Sequence, residues 1–481
     1  QMFRQTIIER VEKKRERVSS MFASSTKEAN RVQMFAILAN DAKGTIYIIR
    51  TFLENDVFES ITPLVPQAHL FEREIAEQYG VQIEGHPWLK PVRFHSYDMR
   101  KTASKVDSDG PAVMNFFDVK GEQVHEVAVG PVHAGVIEPG HFRFHCNGEE
   151  VFYLEIALGY QHRGSERVLI DGPHLRTMYQ METIAGDTTI GHSLAYCQAL
   201  EALSGTPVST RAQSIRGIAL ELERLANHVG DLGALAGDVA YLPTASFCGR
   251  LRGEFLNMTA EICGSRFGRG LIRPGGAGFN LTAEKIKALE KRLSVALREV
   301  TEAVNLLWDT PTVVERFEST GHVSLEDAEM IGMVGPAARA CGLARDVRHD
   351  YPAGIYRFVH VPVMIAHHGD VNSRAFVRRL EIQQSIQFIL HQLQNLPDTT
   401  VRNDARALAA DSISVSLVEG WRGEICHIAV TDATGHFSRY KITDPSFHNW
   451  FGLSLALRNQ QISDFPLCNK SFNLSYCGHD L

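Results

Sequence analysis

The stretch TRAQSIRGIALELERLANHVGDLG (210–233) constrains the fold more than any other. Its apolar residues Ile215, Ile218, Leu222, Leu225, Val229 and Leu232 recur at alternating spacings of three and four, the pattern of one buried helical stripe. Residues 376–396 repeat it through Ile382, Ile386, Ile389, Leu393 and Leu396, and Pro397 closes the segment because it cannot continue a helix. Residues 284–308 read as a third long helix. Apolar helical faces have to be buried against one another, so a central helical bundle is expected.

Strand patterns flank these helices. Residues 32–39 (VQMFAILA) and 45–52 (TIYIIRTF) read as two strands around the turn Asn40–Gly44. FEREIAEQYG (71–80) reads as a helix stopped by Gly80, and the N-terminal QMFRQTIIERVEKKRERV as a charged, helix-like segment. Further strands are expected at 124–130, 140–146, 150–158, 412–418 and 424–431, the last two around EGWRGE (419–424). Between them, 98–123 loses periodicity and gains Ser, Asp and Gly, which marks a linker. The expected fold is therefore α+β: a small α+β domain (1–97), a linker (98–123) and a large domain (124–481) whose helical bundle is flanked by β-sheet elements.

Composition and motifs exclude several functions. A net charge of −7 argues against a nucleic-acid partner, whose footprint is basic. No apolar run approaches the ~20 residues that span a bilayer, and the N-terminus has no apolar signal core, so a soluble protein on the cytosolic side is expected. The eight cysteines form no C-x-x-C pair, which excludes common zinc, iron–sulfur and thioredoxin spacings and leaves them as small buried hydrophobes. GSRFGRG (264–270) has the wrong spacing for a dinucleotide fingerprint, and neither a P-loop nor G-x-S-x-G is present. The histidine pair in MIAHHGD (364–370) reads as a polar loop before a helix rather than a metal site.

What carries information is a set of stretches rich in His, Arg, Glu and Gly beside apolar elements: GPVHAGVIEPGHFRFH (130–145), GYQHRGSER (159–167), ETIAGDTTIGHSLAY (182–196), ELERLANH (221–228), EGWRGE and DPSFHNW (444–450). On these blocks, residues 124–481 resemble the large subunit shared by respiratory complex I, where it lines the quinone site, and the membrane-bound nickel–iron hydrogenases. Residues 71–94, FEREIAEQYGVQIEGHPWLKPVRF, resemble the signature of complex I's small hydrophilic subunit. A chain that fuses the two resembles the large subunit of formate hydrogenlyase and related complexes.

The departures from that family are informative. Its hydrogenases hold their metals with two pairs of cysteine thiolates, the soft ligands nickel and iron favour. On the quoted motifs, Ala185 and Thr188 fill the first pair of positions, and Ser446 and Asn449 fill the second. The resemblance thus implies no metal ligands and no nickel–iron centre. It does imply a retained proton-handling set. Glu138 matches a proton-relaying glutamate, and His192, Arg422 and Asp444 match positions around the lost metals. The quinone-binding tyrosine of complex I falls at or near Asp187, and its histidine ligand matches His133 or His141. Thr188 borders the same cavity. Arg163 and His228 match positions close to a partner's iron–sulfur cluster, where positive charge and a titratable neighbour tune potential. Read alone, His228 would be a capping or solvated histidine.

The resemblance therefore implies a core hydrophilic subunit of a membrane-anchored, energy-converting complex at the cytoplasmic face of the inner (plasma) membrane. Its implied partners are a small iron–sulfur subunit, a ferredoxin-like iron–sulfur subunit and membrane-embedded subunits. The implied chemistry is electron transfer from a partner's iron–sulfur cluster to an acceptor, with a quinone as a candidate, coupled to ion translocation. Two other readings stay open at this point: a hydrogenase large subunit, and a redox-inert structural or coupling subunit.

Overall fold

The computed structural model describes residues 1–25, 31–93, 99, 115–134 and 137–481. Helix α1 (Met2–Lys14) leads into strands β1 (Arg17–Ser25), β2 (Val32–Asn40) and β3 (Thr45–Phe52), an antiparallel sheet in the order β1-β2-β3. Helix α2 (His69–Tyr79) ends on Gly80 at φ 65°, the left-handed stop expected from the sequence. One sheet face, with Met21, Ala23, Met34 and Leu38, packs with Ile7 of α1 and Phe71 and Ile75 of α2. The other face carries Phe22, Phe35 and Ile37 onto Leu417, Cys426 and Ile428 of the large unit. A strand buried on both faces reads as a continuous apolar run, which is why VQMFAILA shows no alternation. Strand β1 is a departure from the sequence reading, which carried the charged helix through Val18. The helix stops at Lys14, and RVSSMFASS runs buried beside β2. Its serines hide the apolar signal but find partners: Ser20 Oγ lies 2.9 Å from Thr443 Oγ1.

Strands β4 (Val124–Val129), β5 (His141–Asn147) and β6 (Glu150–Ala157) form an antiparallel meander close to the expected bounds, and Gln460–Gln461 adds to the edge of β6. Most of the expected linker lies outside the described residues, and 115–123 carry neither helix nor strand.

The bundle consists of α3 (Thr189–Ser204), α4 (Thr210–Asp238), α5 (Leu242–Cys263), α6 (Ala283–Trp308) and α7 (Val371–Gln394). All six stripe residues of α4 are fully buried. Helix α7 starts earlier than its apolar stripe because the Asp370 side chain accepts a hydrogen bond from Ser373 N at 2.7 Å and caps it. Helix α5 was not expected. It buries the stripe Cys248, Leu251, Phe255, Met258 and Ile262 and approaches α4 closely: a Cβ added to Gly233 of α4 would meet the Cys248 Cβ at 2.7 Å.

A second antiparallel sheet, β7 (Ile413–Gly420), β8 (Gly423–Thr431) and β9 (Phe437–Thr443), is followed by α8 (Pro445–Ala456). Pairing of β7 with β8 runs to Gly420 opposite Gly423, leaving Trp421 and Arg422 as a two-residue turn. Gly423 has φ 133°, and a Cβ there would sit 2.8 Å from the Gly335 backbone, so the turn can press against that segment only with glycine. Buried ion pairs tie the two units together. Arg17 donates to both Glu424 oxygens at 2.9 and 2.5 Å, and Lys441 bridges Glu74 at 2.7 Å and Glu166 at 2.9 Å. All eight cysteines are free and buried, as their spacing indicated. Among the described residues no helix is long and apolar enough to cross a membrane. The α+β class with a sheet-flanked bundle stands as expected.

Candidate active site

The loop 182–188 enters α3 and is held by donors from widely separated elements. Arg163 donates to the Thr183 carbonyl at 2.8 Å and the Ile184 carbonyl at 2.7 Å. Arg422 donates to the Gly186 carbonyl at 3.0 Å and to Thr188 Oγ1 at 3.2 Å, its guanidinium lying 3.9 Å from the Trp421 ring. Trp421 Nε1 and Asn227 Nδ2 both donate to the Asp187 carbonyl at 3.0 Å. The two-residue turn between β7 and β8 thus delivers both Trp421 and Arg422 to the loop. Asp187 sits at φ 59°, and its carboxylate pairs with Arg252 at 3.3 Å. Glu182 accepts from Gly270 N and Arg273 Nη1, both at 2.8 Å. Guanidinium donors thus hold the carbonyls of Thr183, Ile184 and Gly186 from two sides, which makes the loop a braced wall.

In front of this wall lies a cavity of about 320 Å³. Arg163, Glu182, Ala185, Asp187 and Thr189 border it, with Phe267 and Arg269 from the GSRFGRG loop and Cys477 from the C-terminal turn. The segment rejected as a nucleotide fingerprint is therefore a wall of the site. Burial pushes the Cys477 thiol up, the Glu138 charge adds to this, and contacts with Ser475, the Gly186 backbone and Arg163 oppose it. Half-buried Glu138 accepts from Tyr476 N at 3.4 Å, which places it beside the same turn.

Beneath the loop runs a buried chain of polar side chains. His192 Nε2 lies 3.1 Å from Asp444 Oδ2, His192 Nδ1 lies 3.0 Å from His427 Nε2, and His427 Nδ1 lies 2.9 Å from the Tyr440 hydroxyl. Burial works against ionisation of Asp444, yet the hydrogen bond and charge of His192, together with Arg422, hold its carboxyl below the usual range. Burial and neighbouring His192 keep His427 well below the ordinary imidazole value, and burial keeps the Tyr440 proton on its oxygen. One direction of hydrogen bonding then satisfies every contact. Tyr440 donates to His427, His427 to His192, and His192 to Asp444. Asp444 also caps α8, accepting from Ser446 N at 2.8 Å.

The remaining sequence-derived residues lie elsewhere. His133 Nε2 is 2.8 Å from the Gly140 carbonyl and His141 Nδ1 is 3.4 Å from the Gly130 carbonyl, and neither borders the cavity. Burial lowers the His141 pKa. His228 is neither capping nor solvated: it is buried in α4, its Nε2 2.8 Å from Glu381. Burial lowers its pKa, and Glu381 opposes that. Ala185 and Thr188 sit in the loop itself. Ser446 and Asn449 are buried behind it, Ser446 Oγ accepting from Ser475 N at 2.8 Å and Asn449 exchanging two 3.0 Å hydrogen bonds with the Val334 backbone. Ala185 has no donor atom, and Thr188 Oγ1 is taken up by Trp421, Arg422 and the Gly186 carbonyl. These residues do not fit a nickel–iron centre. Among the described residues no group of three His, Cys, Asp or Glu side chains could hold a metal ion.

Sequence reasoning missed Glu182, Phe267, Arg269, His427, Cys477 and Asp480, whose carboxylate accepts from Gly159 N and Gln161 N at 2.9 and 3.0 Å. The polar run SYCGHDL was a usable signal for the last two.

Residues 238–414 match the family described as respiratory-chain NADH dehydrogenase, 49 kDa subunit, and residues 4–105 the corresponding 30 kDa subunit. Formate hydrogenlyase subunit 5 of Escherichia coli is 30% identical over 95% of this chain and 84% of its own length. The carbon monoxide-induced hydrogenase of Rhodospirillum rubrum is 31% identical over 73% of this chain and 97% of its own. NADH-quinone oxidoreductase subunit 4 of Thermus thermophilus is 29% identical over 71% of this chain and 90% of its own. With its fold, its braced loop and these relatives together, the chain belongs to the complex I- and hydrogenase-related family of core hydrophilic subunits, in the form that joins a 30 kDa-type and a 49 kDa-type domain in one polypeptide.

Proposed function

We propose that the protein receives electrons from an iron–sulfur cluster of a partner and passes them to an acceptor in the cavity before loop 182–188, without a nickel–iron centre. In this reading it is peripheral to the cytoplasmic face of a membrane complex, docks small and ferredoxin-like iron–sulfur subunits, and couples turnover to ion translocation through membrane-embedded partners. The observation that carries it is the combination at one loop: a cation-braced wall with no thiolate pair, and titratable groups on both sides of it. Asp187 borders the cavity, Glu138 stands beside the C-terminal turn that brings Cys477 to it, and Asp444 with His192 stands behind. Carboxylates and imidazoles in a partly desolvated site are suited to proton delivery, which reduction of a quinone-like acceptor requires. Arg163 braces the wall and His228 is a buried imidazole held by Glu381; in this reading the two supply positive charge and a titratable group near the partner's cluster.

Turnover of the purified complex with a soluble quinone analogue tests the reading. Glu138→Gln in an assembled complex should lower the rate by roughly one to two orders of magnitude, the lower part of the range for a lost acid–base group. A rate equal to wild type would favour the redox-inert reading, which Ala185's lack of any donor supports. Hydrogen evolution with stoichiometric nickel would favour the hydrogenase reading.

A further inference from the structure

Glu223, on α4, takes no part in the arrangement described so far. It faces the first turn of α3, where Glu223 Oε2 accepts from Ile190 N at 2.6 Å and Oε1 from Gly191 N at 3.0 Å. Both oxygens are fixed by backbone, and no Lys, Arg or His forms an ion pair with it among the described residues. Other buried carboxylates differ: Glu166, Glu221 and Glu381 each meet a guanidinium or ammonium at 2.7–3.2 Å. Burial pushes the Glu223 carboxyl up to about 8; the two backbone N–H groups oppose this, the Asp187 charge adds to it and Arg224 opposes it.

Beside Glu223 is a pocket of about 20 Å³ with Asp187, Asn227, Thr259, Arg266 and Phe267 in its walls. That is room for about one water, with polar groups to hold it. Asp187 and Phe267 also border the 320 Å³ cavity, and Asp187 is the carboxylate common to the two spaces. The charged groups facing Glu223 are Asp187 from the loop, Arg224 from its own helix and Arg266 from the segment after α5; Arg252 is engaged with Asp187.

We propose that Glu223 stores a proton for the cavity and exchanges it through a water in the small pocket and the Asp187 carboxylate. As the Glu223 O–H bond breaks, the water takes that proton and gives one of its own to Asp187, so an O–H bond forms on Asp187 and Glu223 is left as carboxylate. Refilling runs the other way, from solvent through partly exposed Asp187. The use of that proton in turnover rests on the function proposed above, whereas the protonation itself is a property of this chain alone.

Infrared spectra of the full chain, labelled with carbon-13 glutamate and recorded between about pH 5 and pH 10, test the proposal. Wild type should show a protonated-carboxyl band that titrates near 8 and disappears in Glu223→Gln, whose amide oxygen can accept from one of the two backbone N–H groups. Glu72 and Glu419 are also raised, so the assignment rests on that difference. In Asp187→Asn, which keeps Glu223, the midpoint should fall by on the order of one pH unit because a facing negative charge is gone. The proposal is overturned if no band is lost in Glu223→Gln, or if the midpoint stays in place in Asp187→Asn. A failure of quinone reduction in the complex would leave both infrared results untouched.

Discussion

Glu221 and Glu223 stand two residues apart on one helix and behave in opposite ways. Glu221 is surrounded by donors: Arg224 at 3.0 Å, Arg348 at 3.2 Å, the Tyr356 hydroxyl at 2.7 Å and Ser385 at 2.6 Å. Burial alone would raise its pKa, but Arg224 and Arg348, with Ser385 and Tyr356, bring it down to about 2. Glu223, half-buried with only two backbone donors, is also pushed up by desolvation and moves the other way. The contrast shows what separates the core of this protein from its cavity. Glu221 is locked by counter-ions and serves the fold, whereas Glu223, beside loop 182–188, has only two backbone donors and is held toward its neutral form.

The largest effect expected from breaking this contrast is at Glu221. Glu221→Ala would leave Arg224 and Arg348 buried without their carboxylate and should cost about 3–5 kcal/mol in denaturant unfolding. Arg422→Ala comes next. It removes the brace on Gly186 and Thr188 and should cost about 1–3 kcal/mol, with faster amide exchange confined to 185–189. Asp444→Asn removes the acceptor that fixes the His192 tautomer, at a cost of about 1 kcal/mol, and nitrogen NMR should show altered tautomers at both His192 and His427. Because the Asp444 pKa is lowered, its stabilisation is present above the unfolded value of about 3.9 and is lost as pH falls through the folded one, so the variant should also be less acid-sensitive.

Glu223→Gln should be the mildest at neutral pH. The raised carboxyl contributes stability that is present below the unfolded value of about 4.3 and is lost as pH rises through about 8. The melting temperature of wild type should therefore fall, relative to the glutamine variant, across that interval. Parallel profiles would remove the distinction between the two glutamates.

Much of the scaffold was legible in the sequence because it is written in periodicity. The α4 stripe from Ile215 to Leu232, the strands 32–40 and 45–52 and the Gly80 stop all follow from local pattern. Strand β1 was hidden by serines whose burial depends on distant partners, and the α5 stripe from Cys248 to Ile262 is diluted by Gly249, Gly253 and charged residues between its members. The loop 182–192, with Arg422 and Asp444, was legible through resemblance. Its other neighbours were not: Cys477 and Arg269 come from turns outside the blocks that carry the resemblance, and although Glu223 lies on the patterned α4, only the packing of α3 against it shows what it faces. His133 and His141 show the converse: matching a motif did not bring either to the cavity.

The most direct test of the central claim is quinone-analogue reduction by the intact, purified complex with its nickel content determined on the same sample. The expected result is turnover without stoichiometric nickel, lost by roughly one to two orders of magnitude in an assembled Glu138→Gln complex. Turnover that tracks nickel, or a Glu138→Gln complex as fast as wild type, would contradict it.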